Sequence, residues 1–256
     1  MASADLAGKT ALVTGSSLGI GRGCALEMAR AGADIAVNYR SHPQEAEEVA
    51  GEVRAMGRRA LVLKADVSDR ASVEDMVGAA VQHFGGLDTV VCNAAFSQRE
   101  PFLEMSVEGM QRTLDVTLWG AFHAAQASAR RMVERGRGGS ILFISSIHAT
   151  MPVATSLAYN AAKAGMNHMS ATIAVELAEH RIRSNVIEPG WIDTPGERKY
   201  ASEEQIQEQS SGLPWGRLGS IEDIGRAAAF LCSDAADYVT GAVLRVDGGL
   251  RLFRGG

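Results

Sequence analysis

The sequence predicts an α/β protein built on one doubly wound parallel sheet of about seven strands, with helices on both faces. Short β-branched runs alternate with helix-length segments along nearly the whole chain. Several of those runs are almost continuously apolar, as strands are when helices cover both of their faces. No internal repeat, low-complexity tract or linker interrupts the alternation. Right-handed crossovers and a single domain over residues 1–256 are therefore expected.

The first strand is expected over Lys9–Thr14, and a glycine-rich turn separates it from a helix over Gly21–Ala31. Asp34–Tyr39 is the second strand, followed by a helix over Gln44–Met56. The acidic start of that helix (Glu45, Glu47, Glu48) and Arg54 near its end complement the helix dipole. Ala60–Lys64 and Thr89–Cys92 are the third and fourth strands, flanking a helix over Ser72–Phe84. A long helix over Val107–Arg135 leads to a strand at Ser140–Ile144, and a helix over Leu157–Glu179 leads to one at Arg183–Ile187. The last pair is a helix at Ile221–Leu231 and a strand at Ala242–Val246. The irregular stretch Pro189–Pro214 carries three prolines and the polar run SEEQIQEQSSG. An excursion of that length in a compact fold reads as a substrate loop or lid, at about 190–214.

The chain has 256 residues, enough to bury a substantial core without disulfides. Its 25 basic and 30 acidic side chains leave a formal charge of −5, which disfavours non-specific nucleic-acid binding. No apolar run approaches the roughly 18 residues that cross a bilayer, and the start MASADLAG shows no charged-then-apolar leader. A soluble cytoplasmic protein is expected, with no nucleic-acid or membrane partner. Cys24, Cys92 and Cys232 are far apart, cannot all pair and lack metal-ligand spacing, so no metal is expected.

The first turn reads Thr14-Gly15-Ser16-Ser17-Leu18-Gly19-Ile20-Gly21. Glycines at 15, 19 and 21 let backbone approach a pyrophosphate closely, while the next helix presents its N–H groups to the charge. The turn lies in the first βα unit, where a dinucleotide would sit.

This GxxxGxG spacing resembles the short-chain dehydrogenase/reductase family, and further landmarks follow in order from about Lys9 to Gly249. Asp66-Val67 follows the third strand, Asn93-Ala94-Ala95 the fourth, and Ser146 stands 13 residues before Tyr159 in Tyr159-Asn160-Ala161-Ala162-Lys163. Pro189-Gly190, Ile192 and Thr194 follow the sixth strand. The resemblance implies a Rossmann-type fold, a nicotinamide cofactor and oxidoreduction of an alcohol/carbonyl pair. It implies that Asp66 contacts adenine, that Lys163 binds the nicotinamide ribose and that Thr194 lies near the carboxamide. The second strand ends in Asn38-Tyr39-Arg40-Ser41 with no carboxylate, and Asp34 is at the wrong end to hold a ribose hydroxyl. Arg40 and Ser41 suit a 2′-phosphate, so NADP(H) is expected to be preferred, with some NAD(H) use.

Tyr159 and Lys163, at i and i+4, share a helix face. A neighbouring ammonium and an oxidised nicotinamide are expected to lower the phenol from about 10, so that Tyr159 carries the proton while Ser146 fixes the substrate oxygen. The family's asparagine in a D-V-N-L-x-G segment is Thr117 here, within Asp115-Val116-Thr117-Leu118-Trp119-Gly120. Thr117 joins the candidate catalytic set on that alignment, with the water relay held by the asparagine put in question. Substrate is expected to meet Phe96, Ser97 and Gln98, His148 and Met151, and Trp191, a polar and aromatic mix that suits a hydroxylated molecule.

Several segments resemble the glucose 1-dehydrogenase branch, of which Ser145-Ser146-Ile147-His148 favours sugars. A homotetramer with its chain ends between subunits is implied. Glu188 before Pro189 and Asn93-Ala94-Ala95 depart from that branch. The alternatives are a 3-oxoacyl-[acyl-carrier-protein] reductase, with Arg130, Arg131, Arg135 and Arg137 as its carrier patch, and a cofactor-binding regulator without turnover.

Overall fold

The computed structural model describes residues 5–199, 204, 206 and 210–253. Seven parallel strands form one sheet in the order β3-β2-β1-β4-β5-β6-β7. They are β1 Thr10–Val13, β2 Asp34–Tyr39, β3 Ala60–Lys64, β4 Thr89–Cys92, β5 Gly139–Ile144, β6 Ile182–Pro189 and β7 Val243–Val246. Strand order runs outward one way from β1 to β3 and the other way from β4 to β7. The crevice between β1 and β4 is thus the topological switch point where such sheets bind ligands.

Successive residues of a strand face opposite sides of the sheet, and this divides the core. Ala11 and Val13 of β1 join α1 (Gly19–Arg30), α2 (Pro43–Ala55) and α7 (Ile221–Cys232) on one face. Leu12 joins α3 (Arg70–Phe84), α5 (Gly120–Arg135) and Met166 of α6 (Leu157–Glu176) on the other. The tightest helix contact is between α1 and α7. A Cβ on Gly23 would lie 2.3 Å from the Ile221 carbonyl oxygen, and one on Gly225 would lie 2.4 Å from that of Gly23. The α7 start is fixed by a capping box, in which Ser220 Oγ accepts from the Asp223 N–H and Asp223 Oδ2 from the Ser220 N–H.

Two helices differ from expectation. The segment Val107–Arg135 is α4 (Val107–Leu114), one wide π turn at Asp115–Trp119, and α5. The wider turn carries Thr117, and the next residue, Gly120, packs so closely that a Cβ there would lie 2.6 Å from Val67. The segment Leu157–Glu179 ends as α6 at Glu176, with a 3-10 turn at Ala178–His180 closed by Arg181 at φ 55°. Of the expected lid, residues 200–203, 205 and 207–209 lie outside the described residues. Its described part includes a turn at Glu197–Lys199 and a bridge between Ile192 and Gly219. No described helix is long and apolar enough to cross a membrane.

Candidate active site

The turn after β1 is held from both sides by asparagines. Asn38 Oδ1 accepts the Gly15 N–H (2.9 Å), while its buried amide donates to the carbonyls of Leu63 and Ala65. Across the crevice, Asn93 Nδ2 donates to the Thr14 and Gly15 carbonyls, and Thr14 Oγ1 accepts from the N–H groups of Asn93 and Ala94. Gly15 has φ +62°, a region that glycine enters without strain. Gly21 permits the closest approach, since a Cβ there would lie 2.4 Å from the Gly15 carbonyl oxygen. Helix α1 begins after Leu18 with no side-chain cap and no acidic residue in its first turn. Its leading N–H groups therefore have no side-chain oxygen satisfying them, and the positive end of the helix is directed at this turn. A turn of this form can seat an anion.

At the far end of the crevice a cavity of about 580 Å³ is lined by Arg40, Asp66, Ser68, Arg112 and the start of α4. Asp66 accepts from the Ser68 N–H and hydroxyl. Burial works to raise its carboxyl, but those bonds and the Arg40 and Arg112 charges hold it below the usual carboxylate range. Tyr39 is half-buried, while Arg40 and Ser41 are exposed. Val67 is buried under Gly120.

The chemical groups gather where β5 ends. Ser146 caps the short turn Ile147–Ala149, its Oγ accepting the His148 N–H. The His148 ring stands edge-on to Tyr159 with centroids 5.5 Å apart. Lys163 Nζ lies 5.3 Å from the centroid of the Tyr159 ring and donates to the Ile144 carbonyl at 2.7 Å. Burial lowers the Lys163 ammonium to about 7 and pushes the Tyr159 phenol up to about 12. The Ser146 hydroxyl and the Arg99 charge oppose the rise in Tyr159, and the Glu197 charge adds to it. The expected lowering of the phenol by Lys163 is not what this conformation shows: the amine is itself desolvated and turned onto a carbonyl. Tyr159 is held protonated beside a buried amine that titrates near neutrality. Burial and the Arg99 charge keep His148 below its usual range, as a neutral ring.

The family described as enoyl-(acyl carrier protein) reductase matches residues 15–251. The chain is 42% identical over 246 residues to L-rhamnose 1-dehydrogenase (NAD(P)(+)) of Sphingomonas sp. strain SKA58, covering 96% of this chain and 97% of that one. This chain belongs to the short-chain dehydrogenase/reductase family. Glucose 1-dehydrogenase 2 of Bacillus subtilis is 39% identical, with 97% of each chain covered. The solved structure of a short-chain type dehydrogenase/reductase from Mycobacterium marinum superposes with a TM-score of 0.90 at 36% identity, covering 96% of this chain and 97% of that one. The protein is an NAD(P)-dependent short-chain dehydrogenase/reductase acting on CH–OH groups.

Within this dehydrogenase, several expected residues take other places. Thr117 is fully buried, and its hydroxyl donates to the Phe96 carbonyl (2.8 Å) and accepts the Phe96 N–H (3.0 Å). It therefore anchors the loop after β4, with both of its hydrogen bonds going to Phe96 and none to Lys163, so its place is that of a positioning residue. The Phe96 ring lies under the Arg112 guanidinium at 4.3 Å. Trp191 lines a separate cavity of about 230 Å³ with Leu213, Trp215, Asp247 and Leu250, whose walls include none of Ser146, His148 and Tyr159. The side chain of Ile192 is buried in the core. Gly190 passes so near Asp247 that a Cβ would lie 2.6 Å from its Cα. Thr194 stands 3.6 Å from the place of a Gly19 Cβ, across the crevice from the glycine-lined turn. Arg130, Arg131 and Arg135 are paired with Glu74, Glu134 and Asp88.

Sequence reasoning missed Arg99 and Glu197, whose charges act on Tyr159. Both sit in polar stretches without periodicity. The available signal was a charged residue in a loop leaving the carboxyl end of a strand, where such sheets bind ligands.

Proposed function

We propose that this enzyme oxidises a hydroxyl of a sugar or polyol, with NADP(H) preferred over NAD(H). The observation that carries the reading is the gathering of Ser146, His148, Tyr159 and Lys163 at the strand ends beside an uncapped, glycine-lined helix start. Gly15, Ser17, Leu18, Gly19, Ile20 and Gly21 would hold the pyrophosphate, and Asn93 and Ala94 keep that turn in place. Asp66 and Val67 would border the adenine, with Tyr39, Arg40 and Ser41 at the 2′-phosphate. Lys163, Pro189, Gly190, Ile192 and Thr194 would surround the nicotinamide end. When bound, the nicotinamide supplies the hydride acceptor. Ser146 orients the substrate hydroxyl, Tyr159 exchanges its proton and His148 offers a neutral hydrogen-bonding ring.

The NADP(H) preference is supported by an arginine, not a carboxylate, at the end of β2. The sugar reading is supported by the rhamnose and glucose dehydrogenases among the relatives. Exposed apolar residues, among them Tyr238, Leu252 and Phe253 near the chain end, support a homotetramer, and we place the enzyme in the cytoplasm. Carboxylates beside the α5 arginines weigh against the 3-oxoacyl-[acyl-carrier-protein] reductase alternative, because Glu74, Glu134 and Asp88 offset part of that charge.

The test is a screen of NAD(P)H absorbance across aldoses, polyols and 3-oxoacyl thioesters with each dinucleotide. Turnover of an aldose or polyol with NADP+ is expected. Turnover confined to 3-oxoacyl thioesters would replace the proposal, and equal or better efficiency with NAD(H) would remove the cofactor preference.

A further inference from the structure

Glu188 is a buried carboxylate that the chemistry above leaves unused. It stands immediately before Pro189, where the chain departs from the glucose dehydrogenase branch, and is 1% exposed. Donors from two other elements reach it. Asn167 Nδ2 of α6 donates to Oε1 at 2.7 Å, and Arg245 Nε of β7 lies 3.4 Å from Oε2. Glu188 and Arg245 are register partners on adjacent strands, so their side chains share a face of the sheet. That is the face α6 covers, since Val186, two residues earlier on β6, packs in one cluster with Met166. Asn167 follows Tyr159 and Lys163 at intervals of four, so the three rise along one side of α6. A second tie between α6 and β6, Ser170 Oγ against Ser184 Oγ at 2.8 Å, joins neutral groups.

We propose that the Glu188–Asn167 pair is a positioning device for the reaction. It fixes α6 against the end of β6 one helical turn beyond Lys163, and so sets where the Tyr159 oxygen and the Lys163 amine stand relative to the Pro189–Gly190 backbone. This rests on the roles proposed above for Tyr159 and Lys163, and not on which alcohol is oxidised. A charge inside a fold is expensive, and apolar side chains of the same size would hold helix to strand at less cost. What the pair adds is direction. Apolar contacts tolerate sliding, whereas a charge-assisted hydrogen bond is short and falls off steeply with distance and angle. A slip of α6 by one residue would move its side chains by roughly 1.5 Å and turn them by about 100°. Misplacing a reacting group by about 1 Å can cost about 10²-fold in rate. Arg245, on the edge strand β7, offsets the carboxylate charge from the other side.

The test compares wild type with Glu188→Gln, Glu188→Leu, Asn167→Leu, the double variant carrying Glu188→Leu and Asn167→Leu, and Tyr159→Phe. Steady-state rates are measured with L-rhamnose, D-glucose and cyclohexanol as oxidised substrates and acetoacetyl-CoA as a reduced one, beside NADPH fluorescence titrations and thermal melts. The double variant replaces the pair by apolar side chains of similar size and is expected to melt at or above wild type. Its kcat is nevertheless expected to fall roughly 10- to 100-fold, with the NADPH dissociation constant and the substrate KM within about threefold of wild type. Each single leucine variant is expected to lose about as much as the double, because either one removes the whole tie. Glu188→Gln keeps an acceptor for Asn167 and is expected to recover most of the loss. Wild-type kcat in a stable double variant would overturn the proposal, because the pair would then serve stability alone. A Glu188→Gln as slow as Glu188→Leu would overturn it too. An inactive Tyr159→Phe beside fully active variants of the pair would overturn the positioning role and leave the proposed function standing. Turnover of Tyr159→Phe like wild type, or no wild-type turnover of any of the four substrates, would overturn both.

Discussion

Replacing Thr117 by valine separates a positioning role from a proton relay. Valine keeps the shape and removes only the hydroxyl, which makes two hydrogen bonds to the backbone of Phe96 from a fully buried position. Both Phe96 groups lose a partner, and an unsatisfied buried donor or acceptor costs about 1–3 kcal/mol. Both bonds run to one oxygen and the loop can relax, so the expected loss is about 3 kcal/mol. For a chain of this size that lowers Tm by roughly 6–12 °C. Circular dichroism melts give the stability. Steady-state rates in H2O and D2O, at a temperature where both proteins are folded, give the chemistry. The expected result is the fall in Tm, a raised substrate KM from a loosened loop, kcat within about tenfold of wild type and an unchanged solvent isotope effect, since no proton passes through residue 117. A roughly 10²-fold fall in kcat with unaltered Tm would refute this and restore the relay. Thr117→Asn keeps a donor and an acceptor and is expected to leave activity the same or raise it.

Tyr159→Phe is expected to lose the roughly 10²- to 10⁴-fold typical of general acid–base catalysis while nucleotide fluorescence titration shows cofactor binding near wild type; turnover close to wild type would refute the assignment. Arg40→Ala is expected to raise the NADP+ KM roughly tenfold, discounted for the half-exposed guanidinium, and to spare the NAD+ KM; parallel changes in both would count against a 2′-phosphate contact. Lys163 titrates at about 7 in the folded chain against its ordinary 10.5. Between those values the unfolded chain binds more protons, so stability rises with pH. The buried thiols, raised above their ordinary 9.0, reverse the trend at higher pH. From pH 7 to 9 the Tm of cofactor-free protein is expected to climb, and Lys163→Met to flatten the climb; an equal slope in the variant would show that Lys163 is not the titrating group.

What the sequence made legible followed from patterns with a direct physical cause. Continuous apolar runs such as Thr89–Cys92 announce a strand covered on both faces, and β4 is buried throughout. The spacing of Gly15, Gly19 and Gly21 announces a turn that other residues cannot make, as the contact between Gly21 and Gly15 explains. The π turn at Asp115–Trp119 was invisible because DVTLW contains no helix breaker, and the local widening coincides with tertiary contacts of Thr117 and Gly120. The direction of a side chain is likewise a tertiary fact. Lys163 on the Ile144 carbonyl and Trp191 in its own cavity both depend on segments distant in sequence.

The backbone-to-backbone seam between α1 and α7 has a mechanical consequence. Gly23 and Gly225 leave no side-chain cushion there, so neither helix can slide without moving the other. One end of that strut is the glycine-lined turn after β1. The other begins at Ser220, next to the Ile192–Gly219 bridge. A push on the glycine turn is thereby carried to the Ile192–Gly219 bridge through a single rigid body. A methyl group added at either glycine would wedge both ends apart together.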